Sequence, residues 1–156
     1  METYKDTELF INGHWQPSAS GKTLDVINPA TEEVIGQVAH ANLDDLRAAL
    51  DAADHGFRHW RNVSAFDRYN LMRNAANLFR GNADEIARLL TLEQGKPIGE
   101  AKIETQVSAD RIDWMAEEGR RAYGRIVPAR FSNVKQLILK EPVGPVAAFT
   151  PWNFPI

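Results

Sequence analysis

Asn153 is the side chain in this sequence that is best placed to assist a reaction in which negative charge develops on an oxygen atom. It lies in the turn TPWNFP, where Thr150 and Phe154 each precede a proline and are therefore held in extended backbone. The apolar run Val146–Phe149 just before it predicts a strand buried on both faces of a parallel sheet. Ligands of open α/β sheets bind at the carboxyl ends of such strands. Asn153 brings a neutral amide donor to that point, and an oxyanion accepts such a donor.

The same stretch carries a resemblance to a known family. The sequence EPVGPVAAFTPWNFP, residues 141–155, resembles the strand and turn that open the catalytic half of NAD(P)-dependent aldehyde dehydrogenases. LEQGKP at residues 92–97 and VINPAT at residues 26–31 extend the resemblance over nearly the whole chain, although both motifs are less specific than PWNFP with EPVG upstream. The resemblance implies an α/β protein with the N-terminal part of an aldehyde dehydrogenase-like fold, truncated. Its expected parts are β-hairpins, a four-helix segment, an oligomerisation arm and the first strand of a Rossmann-like sheet.

The resemblance also assigns roles to the residues of this turn. Asn153 is expected to donate its side-chain amide to the oxyanion of the thiohemiacetal that forms when a cysteine attacks the aldehyde. Phe154 occupies the family position beside the aldehyde tunnel. The alternatives are a strand end that merely packs and, for Phe154, simple core packing. The residues expected to help hold NAD or NADP are Phe149, Thr150, Pro151, Trp152 and Asn153.

The activity that the resemblance implies is oxidation of an aldehyde, semialdehydes included, to a carboxylic acid through a cysteine thioester and hydride transfer. Residues 117–125, EEGRRAYGR, look like the helix end of succinate-semialdehyde and related dicarboxylic semialdehyde dehydrogenases. The chain contains no cysteine, and the family's nucleophile and general-base glutamate are expected beyond Ile156. We therefore expect the 156-residue chain alone to be inactive. The alternative function is a non-catalytic remnant or a subunit-interaction module.

Composition excludes several other classes of function. A formal charge of −3 and the lack of a basic cluster argue against a nucleic-acid partner. No apolar stretch approaches the length of a membrane span, and the polar, acidic start METYKDTELF does not resemble a signal peptide. With zero cysteines there is neither a disulfide framework nor a thiolate metal site. We expect a cytoplasmic protein whose partners are a small-molecule aldehyde and, in the complete protein, further copies of itself.

Phosphate and metal motifs are absent or weak. The sequence has no G-x-G-x-x-G, and Gly95-Lys96 lacks both the upstream glycine and the hydroxyl of a P-loop. His55 and His59 share a helix face, but no glutamate follows His55, so a polar surface is the better interpretation. In some family members the backbone near Ile27 and an acidic group at the position of Glu93 hold a monovalent cation. Here a turn carbonyl and a solvated glutamate are favoured, and no metal is expected.

The elements that would position the turn follow from turn and cap signals. Asn12-Gly13 predicts a tight hairpin, followed by strands over Thr23–Ile27 and Glu33–Val38. Asn42, Ser64 and Asn82 are expected to cap three helices, the second ending near Gly81 and the third at Gly95. A fourth helix is expected from Pro97 to about Tyr123, ending at Gly124. The expected apolar packing positions are Leu43, Leu46, Leu50, Ala53, Phe57 and Trp60 in the first helix, Tyr69, Met72, Ala76 and Phe79 in the second, Ile86, Leu89 and Leu90 in the third, and Ile98, Ala101, Ile112, Met115 and Gly119 in the fourth.

The resemblance and these signals together divide the chain into three parts. Residues 1–124 are expected to supply the strands and helices that precede the dinucleotide-binding sheet of the cofactor-binding domain. Residues 125–141 are expected to form the oligomerisation arm, which in the family adds to a neighbouring subunit. An ordinary hairpin packed on its own domain is the alternative for that segment. Residues 142–156 are expected to form the first core strand and the PWNFP turn.

Overall fold

The structure is a computed structural model that describes residues 4–156. Short antiparallel strands come first, four helices follow, and a further hairpin precedes the C-terminal stretch. The elements in chain order are β1 (Leu9–Ile11), β2 (His14–Gln16), β3 (Thr23–Ile27), β4 (Val34–Ala39), α1 (Leu43–Trp60), α2 (Ala65–Gly81), α3 (Ala83–Gln94), α4 (Ile98–Arg120), β5 (Arg125–Pro128) and β6 (Lys135–Ile138).

The N-terminal hairpins form as the turn residues predict. Asn12 and Gly13 both have positive φ angles, 54° and 81°, the combination that a two-residue type I′ turn requires. This turn pairs Leu9 with Gln16 and Ile11 with His14. The second hairpin pairs β3 with β4, with an irregularity near Ile27. Both predicted strand pairs are therefore confirmed, with β4 displaced by one residue from its predicted range.

Helix α1 begins at the predicted cap, but its apolar stripe is not buried. The Asn42 side chain accepts hydrogen bonds from the amides of Asp44 and Asp45, and the Asp45 carboxylate reaches back to the Asn42 amide. Leu43 and Leu50 nevertheless lie exposed. The expectation that this stripe forms core is wrong for the described residues, because helical periodicity marks an apolar face without supplying the surface that would cover it.

The core lies where α4 packs against α2 and α3. Most residues buried there are small, so the helices approach closely: Ala76, Ala87, Leu90, Ala101, Thr105, Ser108, Ala109 and Ala116. Two of the residues predicted to pack, Ile98 and Met115, are exposed instead. The predicted packing face of α4 was thus partly wrong, because the residues that pack are the small ones between the large apolar ones.

The helix ends agree with the sequence signals at two places and depart from them at one. Gly95 ends α3 in the left-handed conformation, with φ 79°, as predicted. Helix α2 ends at Gly81, also as predicted, although this glycine does not have a positive φ and only Asn82 separates α2 from α3. Helix α4 ends at Arg120, earlier than the predicted Tyr123, because the Arg121 amide bonds to the Glu118 carbonyl in a tighter turn.

Residues 125–138 form an exposed hairpin. Strand β5 pairs antiparallel with β6, from Arg125 opposite Ile138 to Pro128 opposite Lys135. Ile126, Leu137 and the following Leu139 are exposed apolar side chains. The hairpin therefore presents an apolar surface that it does not bury against the helices.

The predicted buried strand over Val146–Phe149 is not formed. These residues belong to no regular element and pair with no described strand, and Val146 and Phe149 are 78% and 94% exposed. The three sheets within residues 4–156 are separate two-stranded hairpins, so the parallel neighbours that such a strand requires are not among the described residues. The expectation fails here for lack of a partner strand.

None of the helices in the described part of the chain combines the length and apolar character of a membrane span.

Candidate active site

The turn that carries Asn153 is closed by a backbone bond of its own. The Phe154 amide donates to the Pro151 carbonyl at 3.2 Å. Prolines at 151 and 155 fix φ at two positions and restrict the residues before them. The turn is therefore stiff by its sequence before any contact with the helices is considered.

Lys96 joins this turn to the helices. It lies between Gly95, which ends α3, and Pro97, which caps α4. Its Nζ donates to the backbone carbonyl of Asn153 at 2.6 Å and forms an ion pair with Glu104. The ammonium also lies 4.4 Å from the centroid of the Phe154 ring, within cation–π range.

Glu104 provides the second connection. It lies on α4 among small buried residues, and its carboxylate accepts the Ile156 amide at 3.3 Å through the oxygen that does not face Lys96. Only 4% of its side chain and 9% of that of Lys96 are exposed. A buried ion pair is retained when both partners are fully hydrogen-bonded, and the carbonyl and amide of the turn supply those bonds.

A cavity of about 650 Å³ opens between the turn and α4. Trp152, Asn153 and Phe154 form one wall. The opposite wall combines apolar and charged residues of the α3–α4 junction and of α4: Gln94, Gly95, Lys96, Pro97, Glu100, Ile103, Glu104, Val107 and Arg111. Its lining is mixed, with polar and charged side chains beside the apolar Ile103, Val107, Trp152 and Phe154.

The Asn153 side chain is exposed and makes no hydrogen bond of its own to the described residues. Within residues 4–156 its carboxamide has no hydrogen-bond partner, whereas its backbone carbonyl is held by Lys96. The backbone carbonyl and the side-chain carboxamide of Asn153 therefore have different surroundings. The backbone anchors the turn, and the amide is left at the cavity wall.

The predicted cofactor-binding residues are only partly brought together. Trp152 and Asn153 line the cavity, whereas Phe149, Thr150 and Pro151 are exposed and are not among its lining residues. The hydroxyl of Thr150 and the indole of Trp152, which is 80% exposed, fit one edge of a dinucleotide, which offers ribose and phosphate oxygens and flat rings. These residues fit NAD or NADP as one edge of a site, not as a whole site.

The sequence motif predicts a role for Asn153 but gives no sign that Lys96 and Glu104 support its turn. Lys96 appears in the sequence only within the LEQGKP motif and as an incomplete P-loop. A signal existed for Glu104, since it follows Ala101 by one helical turn and precedes Ser108 by another on the small-residue face of α4. A carboxylate on a helix face that is otherwise small and uncharged needs a cationic partner.

The weaker metal candidates do not assemble into a site. No group of three or more His, Cys, Asp or Glu side chains in the described residues could hold a metal ion. His55 and His59 lie exposed on α1. Glu93 accepts a hydrogen bond from the Tyr4 hydroxyl at 2.6 Å. Partial burial, reinforced by this bond, raises the pKa of Tyr4.

Comparison with known proteins gives one consistent family. The model of the "Aldehyde dehydrogenase family" matches residues 15–156. The 4-(hydroxymethyl)benzenesulfonate dehydrogenase of Comamonas testosteroni is 47% identical over 98% of this chain and 32% of its own length. The NADP(+) succinate-semialdehyde dehydrogenase of Escherichia coli is 43% identical over 96% of this chain and 32% of its own. The crystal structure of an NADP-dependent enzyme of E. coli superposes with a TM-score of 0.94 at 43% identity, over 96% of this chain and 31% of that one. The chain thus spans about a third of the length of the relatives it matches.

Proposed function

Because the chain belongs to the aldehyde dehydrogenase family, we propose that it is part of an oxidoreductase that oxidises an aldehyde to a carboxylic acid with NAD or NADP. The observation that supports this proposal best is the state of Asn153. Its carboxamide has no partner within residues 4–156 and lies on a cavity wall, while its backbone is anchored to a buried ion pair. A neutral donor held in that way is suited to an oxygen that gains negative charge.

In the proposed reaction, a cysteine thiolate outside this sequence attacks the carbonyl carbon of the aldehyde. A carbon–sulfur bond forms, and the carbonyl π electrons move onto oxygen. The Asn153 amide donates a hydrogen bond to that oxygen more strongly than to the neutral carbonyl, so it stabilises the transition state rather than the bound substrate. When bound, the nicotinamide cofactor would supply the acceptor for the hydride that leaves the same carbon. The oxyanion electrons then re-form the carbonyl as a thioester, and water hydrolyses the carbon–sulfur bond to give the carboxylic acid and the free thiolate. Trp152 and the extended chain before it would line one edge of the cofactor, and Phe154 would border the aldehyde.

Replacement of Asn153 in the complete enzyme tests this role. Asn153→Ala should lower kcat by about 10²- to 10³-fold, the effect of removing one such donor, and leave the KM of the cofactor nearly unchanged. Asn70→Ala is the matched control because Asn70 is an exposed asparagine on α2. An unchanged kcat in Asn153→Ala would remove this residue from the mechanism.

We further propose that the aldehyde carries an anionic group, as a dicarboxylic semialdehyde does. Two relatives are named for compounds that carry an acidic group, a benzenesulfonate and the semialdehyde of succinate. In this chain, Arg111 lines the cavity and has no ion-pair partner within the described residues, whereas Lys96 is occupied by Glu104. An unpaired guanidinium is suited to bind a carboxylate or sulfonate through two parallel hydrogen bonds.

Paired substrates separate this proposal from a purely structural role of Arg111. In the complete enzyme, Arg111→Gln should raise the KM for succinic semialdehyde about tenfold or more, since a hydrogen bond to a charged group contributes about 1.5–3 kcal/mol. The KM for butyraldehyde, which lacks the carboxylate, should stay the same. Equal changes for both aldehydes would contradict recognition of the anion.

The proposal also covers assembly and location. The exposed apolar residues of the β5–β6 hairpin support an oligomerisation arm over residues 125–141, between the helical part and the C-terminal strand segment. A two-stranded hairpin is marginal alone, and pairing with another subunit would complete it. The negative net charge and the zero cysteine count are consistent with a cytoplasmic homo-oligomer that binds neither nucleic acid nor membrane.

One observation favours a second function, a non-catalytic subunit-interaction module. The β5–β6 hairpin offers an exposed apolar surface. Under either function the purified chain should not reduce NAD or NADP in the presence of aldehydes. The two functions differ in the encoding DNA, where an in-frame continuation with a cysteine supports the enzyme. Aldehyde oxidation by the 156-residue chain itself would contradict the cysteine mechanism.

A further inference from the structure

We propose that Lys96 and Glu104 act as positioning residues that set the direction of the Asn153 carboxamide. This inference rests on the proposed function, in which that amide binds the substrate oxyanion. The two side chains contact the backbone on either side of Phe154 and Pro155. Lys96 holds the Asn153 carbonyl at 2.6 Å, and Glu104 holds the Ile156 amide at 3.3 Å.

These contacts fix the peptide groups from which the carboxamide extends. The bond from Lys96 orients the peptide plane between Asn153 and Phe154. The Phe154 amide in that plane donates to the Pro151 carbonyl, so both ends of the plane are held. Once the backbone is fixed, the carboxamide can move only by rotation about the two side-chain torsions of Asn153. The positions that this short side chain can reach therefore occupy a small volume.

The frame that carries the pair is itself rigid. Lys96 lies between a left-handed Gly95 and Pro97, both of which restrict the backbone next to it. Adding a Cβ at Gly95 would bring it 2.9 Å from Cγ of Pro29, so this junction is also packed against the β3–β4 turn. Glu104 is fixed by α4, where its neighbours Ala101 and Thr105 are completely buried. The pair thus connects the turn to the core of the protein.

The buried charges explain why the two residues must be changed together. Removing one partner of a buried ion pair leaves an uncompensated charge, which is strongly destabilising. The double variant Lys96→Gln/Glu104→Gln removes both charges and keeps polar side chains of similar length. Lys96→Arg is the conservative variant, because it keeps a cation and donors.

Kinetics of the complete enzyme with succinic semialdehyde give the first readout. We expect the double variant to lower kcat about 10- to 100-fold with little change in the KM of the cofactor, because an error of about 1 Å in a catalytic group costs about that much. Lys96→Arg should recover part of the loss. The matched control neutralises an exposed pair that joins the same helix to α3, with Lys102→Gln and Asp84→Asn, and should keep the full kcat. An unchanged kcat in the Lys96/Glu104 variant would overturn the proposal.

A double-mutant cycle separates positioning from general loss of structure. If the pair acts through Asn153, the same double substitution should lower kcat less than twofold in an Asn153→Ala background. An equal loss in both backgrounds would mean that the pair stabilises the fold without directing the amide, and the proposal would be wrong.

Hydrogen exchange tests the contacts without reference to activity. In the complete protein, the peptide covering residues 152–156 should exchange its amides at least tenfold faster in the Lys96/Glu104 double variant, while peptides from α2 should be unchanged. Equal exchange in the two proteins would contradict the anchoring. If the wild-type protein oxidises no aldehyde, the proposed function fails, and exchange still decides whether the pair anchors the turn.

Discussion

Helix α4 and the stretch at residues 142–152 are both rich in apolar residues, yet only the first is packed. The inner face of α4 lies against α2 and α3 and completely buries Ala101, Thr105 and Ala109. The later stretch forms no regular element, and its largest side chains, Phe149 and Trp152, are exposed. Hydrophobicity alone does not explain the difference, because Phe149 and Trp152 are large apolar residues that stay exposed while the small residues of α4 are buried.

The difference shows that burial depends on a partner surface at the right place in the chain. Helices satisfy their backbone hydrogen bonds internally and need only one apolar contact face. A parallel-sheet strand needs neighbours for its backbone and covers for both faces. Within residues 4–156, α2, α3 and α4 pack against one another, whereas the apolar stripe of α1 and the strand segment find no such partner.

The largest expected consequence concerns the 156-residue chain on its own. We expect a helical far-ultraviolet spectrum from α1 to α4, strong binding of an apolar dye, self-association and a shallow thermal transition. Exposed apolar surface on the β5–β6 hairpin and around Phe149 is the physical reason. Circular dichroism, dye fluorescence and sedimentation measure these properties.

The outcome that would contradict this comparison is a monomer that melts in one sharp cooperative step and binds no dye. Such a result would mean that residues 142–156 close a core unaided. Deleting residues 125–156 offers a control, since dye binding should fall if that region supplies the exposed surface and should persist if the stripe of α1 does.

A neighbouring pair of alanines tests the packed half of the comparison. Ala76 on α2 is completely buried, and Ala75 beside it is exposed. Ala76→Leu should destabilise the helical part by about 1–3 kcal/mol, because a well-packed core has no room for the added methylenes. Ala75→Leu adds the same atoms to the surface and should change stability by about 0.5 kcal/mol or less. Urea titration followed at 222 nm compares the two, and equal midpoints would mean that α2 and α4 are loosely packed.

The parts of the fold that follow from sequence alone are those set by local chemistry. Asn12-Gly13 gave the hairpin, Gly95 the end of α3, and Asn42 the start of α1, because each of these residues acts on the backbone within a few positions. The predictions that the apolar stripe of α1 is buried and that Val146–Phe149 forms a buried strand were wrong, because burial at both places depends on distant segments. Periodicity identifies an apolar face, and only the folded chain shows what covers it.

The candidate site likewise has a part that local sequence predicts and a part that depends on distant residues. The role of Asn153 is predicted from a motif of adjacent residues, and Trp152 and Phe154 of the same motif line the cavity with it. Lys96 and Glu104 lie about fifty residues earlier in the sequence, with separations of 57 and 52 residues along their bonds to the turn. No local pattern joins such distant groups, although an acidic residue on the small-residue face of α4 indicates that a partner is needed.

Helix-cap residues test the elements that local sequence predicts, and their replacement should have a smaller effect on stability. The Asn42 side chain accepts two amides at the start of α1, whereas the Asn82 side chain makes no cap bond at the start of α3 and donates to the Leu78 carbonyl instead. Asn42→Ala should therefore destabilise the protein by about 1 kcal/mol. Asn82→Ala should have less effect on the start of α3. Hydrogen exchange of the first-turn amides of each helix measures the difference, and equal protection in the two variants would show that side-chain caps do not determine where these helices begin.

The smallest expected effect is a pH dependence at the same cap. Asp45 is buried, and its carboxylate accepts the amides of Asn42 and Ala19 and the hydroxyl of Ser18, each at 2.9 Å. These bonds, the one from Asn42 first, lower the pKa of Asp45 in the folded state. The unfolded chain binds the proton at about pH 3.9. The stabilisation is therefore complete above about pH 4 and is lost as pH falls through the lower, folded-state pKa. Wild type should be more stable than Asp45→Asn at pH 7, and the gap between their urea midpoints should shrink towards pH 3. A constant gap across that range would show that the hydrogen-bonding shape of Asp45, and not its charge, holds the loop at Ser18 against α1.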